Sequence, residues 1–152
     1  MRTVKFRGYS TTLKENEFFY GDLVQYHKDE MYIMEQNYRN WDVLYSGFRI
    51  DPKSVGQFTG LCDIQGKEIY EGDIVANTYD FDDTQYVVRY CDGDFVICEI
   101  LNGDIEEALS RDIYESPDRD KIYSIGTFCE GWRGENYLQV VGNVYENKLK
   151  KN

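Results

Sequence analysis

One histidine and four cysteines bound the nucleophilic and metal chemistry open to this 152-residue chain. His27 would have to serve any histidine-dependent triad. It sits in the polar stretch Tyr26-His27-Lys28-Asp29-Glu30, and the sequence contains no Gly-x-Ser-x-Gly elbow to present a serine to it. Cys62, Cys91, Cys98 and Cys129 include no C-x-x-C pair and have no closely spaced histidine, so a structural zinc site is disfavoured and buried, reduced thiols are expected. Asp80, Asp82 and Asp83 form the densest acidic group. Counting an EF-hand loop from Asp80 puts Gln85 where glycine is needed and Cys91 where a bidentate glutamate is needed, so the calcium motif fails. Walker and Gly-x-Gly-x-x-Gly phosphate loops are also missing. No catalytic residue, metal or cofactor is expected, and the chain is read as non-enzymatic.

Binding is the remaining class. The balance of 17 basic against 28 acidic residues gives a net charge of −11, which disfavours a basic nucleic-acid module and suits a partner with a basic surface. The residues singled out as a binding face are Asp80, Asp82 and Asp83, with Trp132, Arg133 and Tyr137 as the aromatic and cationic counterpart. Stacking of bases on Trp132 and Tyr137 beside Arg133 would be the nucleic-acid alternative. Aromatic side chains and methionines crowd the first third of the chain, from Tyr9 through Trp41 to Phe48, and such surfaces favour self-association.

These side chains need a scaffold. Fourteen tyrosines, eight phenylalanines and 13 glycines against two prolines suit short strands joined by tight turns. Val4–Tyr9 and Phe18–Tyr26 read as a hairpin, Met31–Met34 as a short strand, and Trp41–Ile50 as a longer one stopped at Asp51-Pro52. The best local signal is Gln85–Cys91 and Asp94–Ile100 around Asp92-Gly93, a favoured two-residue hairpin loop. That loop sets Tyr90 against Phe95, Val88 against Ile97 and Tyr86 against Glu99, with Tyr90's face as the core side. Ile105, Ala108, Leu109 and Ile113 recur at helical spacing behind an Asp104…Glu107 capping box, which predicts one short helix. Ile122–Ile125 and Tyr137–Tyr145 read as closing strands, and 148–152 as a frayed tail.

Three segments then carry a family resemblance. Val4-Lys5-Phe6-Arg7-Gly8-Tyr9 resembles the opening of the YopX-like family of phage and prophage proteins. The run from Val55 to Val75, VGQFTGLCDIQGKEIYEGDIV, is similar to its central signature, and Val141-Gly142-Asn143-Val144-Tyr145-Glu146-Asn147 to its closing motif. The resemblance implies an all-β protein with a small barrel like that of SH3 domains, of uncharacterised function and without assigned catalytic residues. The expected layout is mainly β: an N-terminal β subdomain over 1–51, an SH3-like barrel over 53–147, and the tail. The opening Met1–Arg7 lacks the apolar segment of a secretory signal, and no apolar stretch is long enough to span a bilayer. The chain is therefore expected in the bacterial host's cytoplasm, away from membranes.

Overall fold

The computed structural model describes residues 3–10, 17–35, 47–79, 84–115, 117, 119–129 and 136–151. The chain is mainly β, built as antiparallel strands with a few short helices, and divides into two compact units, 1–60 and 61–152.

In the first unit, β1 (Phe6–Ser10), β2 (Glu17–His27), β3 (Glu30–Met34), β4 (Phe48–Ile50) and the start of β5 (Gly56–Cys62) lie in the order β4-β3-β2-β1-β5. The hairpin read from Val4–Tyr9 and Phe18–Tyr26 is present, with Phe6 opposite Gly21 and Ser10 opposite Glu17. Strand alternation sends Phe19 inward and Tyr20 outward, and Phe19 joins Ile33 and Ile50 in a core completed by Phe6, Leu23, Met31, Phe48 and Val55. Phe19 and Phe48 stack with centroids 3.8 Å apart. Of the strand expected over Trp41–Ile50, Phe48–Ile50 is β4, and 41–46 lie outside the described residues. Asp51-Pro52 ends it as the proline demands. A 3-10 turn over Pro52–Ser54 follows, in which the Ser54 hydroxyl accepts from the Tyr9 N–H at 2.7 Å and donates to the Asp51 carbonyl at 2.6 Å.

The second unit opens with the end of β5, which neighbours β6 (Glu68–Tyr70). Its main sheet has the order β10-β9-β8-β7-β11, from β7 (Asp73–Asn77), β8 (Gln85–Cys91), β9 (Asp94–Glu99), β10 (Ile122–Ser124) and β11 (Leu138–Asn143). The β8–β9 register is the one the Asp-Gly loop dictates: Tyr90 opposite Phe95, Val88 opposite Ile97, Tyr86 opposite Glu99. Asp92 (φ 50°) and Gly93 (φ 87°) both adopt the left-handed backbone this turn requires.

Three features differ from the sequence reading. The SH3-like barrel is an open sheet, with the three-residue β10 at one edge and β11 at the other. The physical reason lies in the closing motif. A bulge between Val140 and Gly142 bends β11, and Asn143 then stops it by accepting the Glu146 N–H at 2.9 Å, an N-cap for the last helix, α3 (Val144–Lys151). Residues 144–145 are therefore helical, and so are 148–151, where an irregular tail was expected. Lys148 in that helix pairs with Glu106 at 3.0 Å. Second, Ile125 starts a helix, α2 (Ile125–Cys129), where a strand end was read. Third, the sheet is buried on both faces. Tyr86, Val88, Phe95 and Ile97 pack on one side with Ile69, Ile125 and Leu138. Val87 and Cys98 pack on the other beneath Ala108 of α1 (Ile105–Ser110), and Tyr90 itself is 49% exposed.

Helix α1 forms where the capping box predicts it, the Asp104 carboxylate accepting the Glu107 N–H at 3.0 Å. Its C-terminal end rests on Arg89 of β8, whose Nη1 donates to the carbonyls of Ala108 at 3.1 Å and Arg111 at 2.8 Å. A guanidinium placed there serves carbonyls that have no partner within the helix and matches the negative end of the helix dipole.

Candidate functional site

The end of the second unit's sheet where β7 finishes and β11 begins brings two distant stretches of chain together. Asn77 lies opposite Leu138. One residue further out, Thr78 donates to the Tyr137 carbonyl twice, from its N–H at 2.7 Å and its hydroxyl at 2.8 Å. The next residue, Tyr79, packs its ring against that of Tyr137 with centroids 4.9 Å apart and planes at 62°. Tyr79 is 66% exposed, which leaves an aromatic pair at the rim of the sheet rather than inside it. Tyr137 is tied on its other side by its N–H to the Phe128 carbonyl at 3.2 Å.

Of the six residues singled out from sequence, Tyr137 is described. Asp80, Asp82, Asp83, Trp132 and Arg133 lie outside the described residues. Tyr79 borders the acidic group and Tyr137 follows the Trp132-Arg133 stretch, so the described flanks of the two groups meet in this ring pair. Tyr79 was missed in the sequence because a lone tyrosine at a strand end carries no periodic signal. The pairing becomes visible only through the β7–β11 register.

Asp63 supports this end from below. It is buried, and its carboxylate accepts three backbone N–H groups: Gln65 at 2.8 Å and Lys67 at 2.9 Å on Oδ1, and Val140 at 3.0 Å on Oδ2. One carboxylate thus closes the β5–β6 turn and fixes β11 against it. The Ile64 N–H adds a bond to the Leu138 carbonyl at 2.9 Å. The Asn136 side chain spans the same junction, donating to the Cys62 carbonyl and accepting from the Leu138 N–H. Asp73, in the Gly-Asp entry to β7, is likewise structural: buried, it accepts the Tyr70 N–H at 2.8 Å.

The other chemistry-bearing residues are the histidine and the cysteines. His27 is an exposed strand-end residue whose ring meets that of Tyr26 edge-on at 4.7 Å. The cysteines are free thiols. Cys98 is buried, which pushes its thiol pKa up although Arg89 pulls the other way, while Cys62 is exposed, contrary to the expectation of burial. Among the described residues no group of three histidine, cysteine or acidic side chains is placed to hold a metal ion. Among them, too, no helix is long and apolar enough to cross a membrane.

Close to α1, the buried Arg111 guanidinium holds Glu107 through two bonds, Nε to Oε1 at 2.8 Å and Nη2 to Oε2. The hydrogen bonds from Arg111 hold the Glu107 carboxyl below its ordinary range against a smaller opposing effect of desolvation. A depressed folded-state pKa contributes stability that is complete above the unfolded value of about 4.3 and is lost as pH falls through the folded one. Glu107→Gln therefore flattens the acid limb of the stability–pH curve below about pH 4.3. Chemical denaturation from pH 3 to 7 measures this, and an unchanged acid limb refutes the pairing.

No curated protein matches the chain. A family model does, under the description "YopX protein", and its match runs over residues 5–149 and takes in the opening, central and closing segments alike. The chain belongs to the YopX family.

Proposed function

We propose that this protein works by binding another protein, as a non-enzymatic accessory factor of a phage or prophage in the bacterial cell, through the end of the sheet marked by Tyr79 and Tyr137. The observation that carries this reading is the ring pair itself: the exposed Tyr79 ring is held against the half-buried Tyr137 ring at a strand junction. Tyrosines fixed this way supply contact area at low entropic cost. The acidic group 80–83 follows directly in the chain, and the net charge of −11 favours a partner with a basic surface. A second copy is the other partner we propose for exposed aromatic rings, and light scattering at micromolar concentration returns a mass above the monomer in that case. A monomer mass removes it.

The test of the main reading is affinity capture from host lysate with the wild type and with Tyr79→Ala/Tyr137→Ala, at low and high salt. A basic protein retained by the wild type at low salt, released at high salt and lost with the variant is the expected result, because exposed charges are screened over about 8 Å at physiological ionic strength. A captured protein that ignores both salt and the double substitution overturns it, as does capture of nucleic acid alone.

A further inference from the structure

Helix α1 covers more than it can hold down by its own packing. It has six residues, and the one it buries is Ala108, the smallest of the apolar side chains. The Asp104 cap, the Glu107–Arg111 pair and the bonds from the Ser110 hydroxyl to the carbonyls of Glu106 and Glu107 all lie within the stretch 104–111. Bonds of that kind travel with the segment and do not tie it to the sheet.

Arg89 does tie it. Besides the carbonyls of Ala108 and Arg111, its Nη1 reaches the Cys98 Sγ at 3.4 Å, so one guanidinium nitrogen joins the last turn of α1 to β9 beneath it. The start of the helix has looser support. A cavity of about 430 Å³ separates residues 102–106 from α3, lined on the far side by Val144, Asn147, Lys148 and Lys151. The Glu106–Lys148 pair that spans it joins two exposed side chains, and such pairs contribute little.

The chain is fixed on both sides of this stretch. Before it the Ile100 N–H donates to the Gln85 carbonyl at 2.8 Å, and after it the Tyr114 hydroxyl donates to Asp92. Between Ile100 and α1 stand Asn102 (φ 53°) and Gly103 (φ 73°), residue types that move between backbone regions at low cost. Under the helix Val87 and Cys98 are fully buried, with Val96, Ile100 and Ile122 packed around them.

We infer that α1 is a flap: residues 104–111 leave the sheet together, turning at Asn102-Gly103, while β8 and β9 stay paired, and Arg89 is the clasp that sets how often this happens. Opening uncovers the apolar face around Val87 and makes the Cys98 thiol reactive.

The experiment treats the full chain with N-ethylmaleimide at urea concentrations below the unfolding transition and follows each cysteine by mass spectrometry of its peptide. Cys62, which is exposed, reacts fast and is the internal standard. Cys98 reacts more slowly, with a urea dependence no more than about a third as steep as that of global unfolding, because the flap exposes a fraction of the surface that unfolding does. Arg89→Met raises the Cys98 rate about tenfold, Asp104→Ala about fivefold, and both leave Cys62 unchanged. Asp104 belongs to the flap and not to the hairpin, so its effect separates opening of α1 from fraying of β8 and β9. The wild-type urea series and Asp104→Ala decide the matter without Arg89→Met, whose lost bonds also serve the fold. A Cys98 rate that follows the full urea dependence of global unfolding at every concentration overturns the inference, as does a rate indifferent to either substitution.

Discussion

Asp63→Ala lowers the unfolding free energy by about 3–4 kcal/mol, the largest effect expected of any polar substitution in the second unit. The carboxylate is buried and accepts from Gln65, Lys67 and Val140, so alanine strands three donors in a place where water does not readily replace the lost oxygens. Two of those donors belong to the β5–β6 turn and one to β11, and the substitution loosens both at once. Asp63→Asn costs less, about 1–2 kcal/mol, because the amide oxygen still serves the turn while the amide nitrogen faces the Val140 N–H, donor against donor. Urea denaturation followed by circular dichroism gives both numbers. An alanine variant within about 1 kcal/mol of wild type contradicts this account of the carboxylate.

In the first unit the comparable position is Gly21. A Cβ there would press on the Met34 carbonyl, with the carbonyl carbon 2.8 Å away and the Glu35 Cα at 3.1 Å. Both obstacles are backbone, so no rotamer change relieves them, and Gly21→Ala must push β3 away from β2. A loss of about 3 kcal/mol or more follows. Gly8 offers the contrast, since the atoms nearest a Cβ at that site belong to the Ile50 side chain, and trimming Ile50 to alanine alongside Gly8→Ala recovers part of the damage. Gly142→Ala is the control: nothing lies within 4 Å of its added carbon, and its stability stays within about 0.5 kcal/mol of wild type. If Gly21→Ala unfolds at the same denaturant concentration as Gly142→Ala, the close approach of β2 and β3 at this point is wrong.

What was legible in the sequence was whatever short-range rules determine. Asp92-Gly93 permits one hairpin geometry, and that alone set the pairing of Tyr90 with Phe95 and Val88 with Ile97. Asp104 and Glu107 announced the start of α1 in the same way. The closing motif held an equally local signal: Asn143 and Glu146 have the spacing of a cap and its partner, and the Asn143 amide both accepts the Glu146 N–H at 2.9 Å and donates to the Glu146 carboxylate at 2.8 Å. The β-branched run before it masked the change from strand to helix.

Burial was harder to read, because alternation says which residues share a face but not how many faces are covered. Val87 and Cys98 looked like the outer side of the hairpin until α1 was seen to lie on them. The candidate site followed the same division. Tyr137 was nameable from the sequence, whereas its contact with Tyr79 joins positions 58 residues apart, which only the sheet order brings together.

The Arg89 contact beneath α1 also imposes a folding order. A helix of six residues has almost no stability in isolation, since nucleation costs more than so few hydrogen bonds return. Its last carbonyls are served by a side chain on β8, so this turn of helix persists only once the hairpin exists to receive it. Ribbon precedes coil along the route to the native state, and a nascent chain halted before residue 105 would hold the ribbon without its lid.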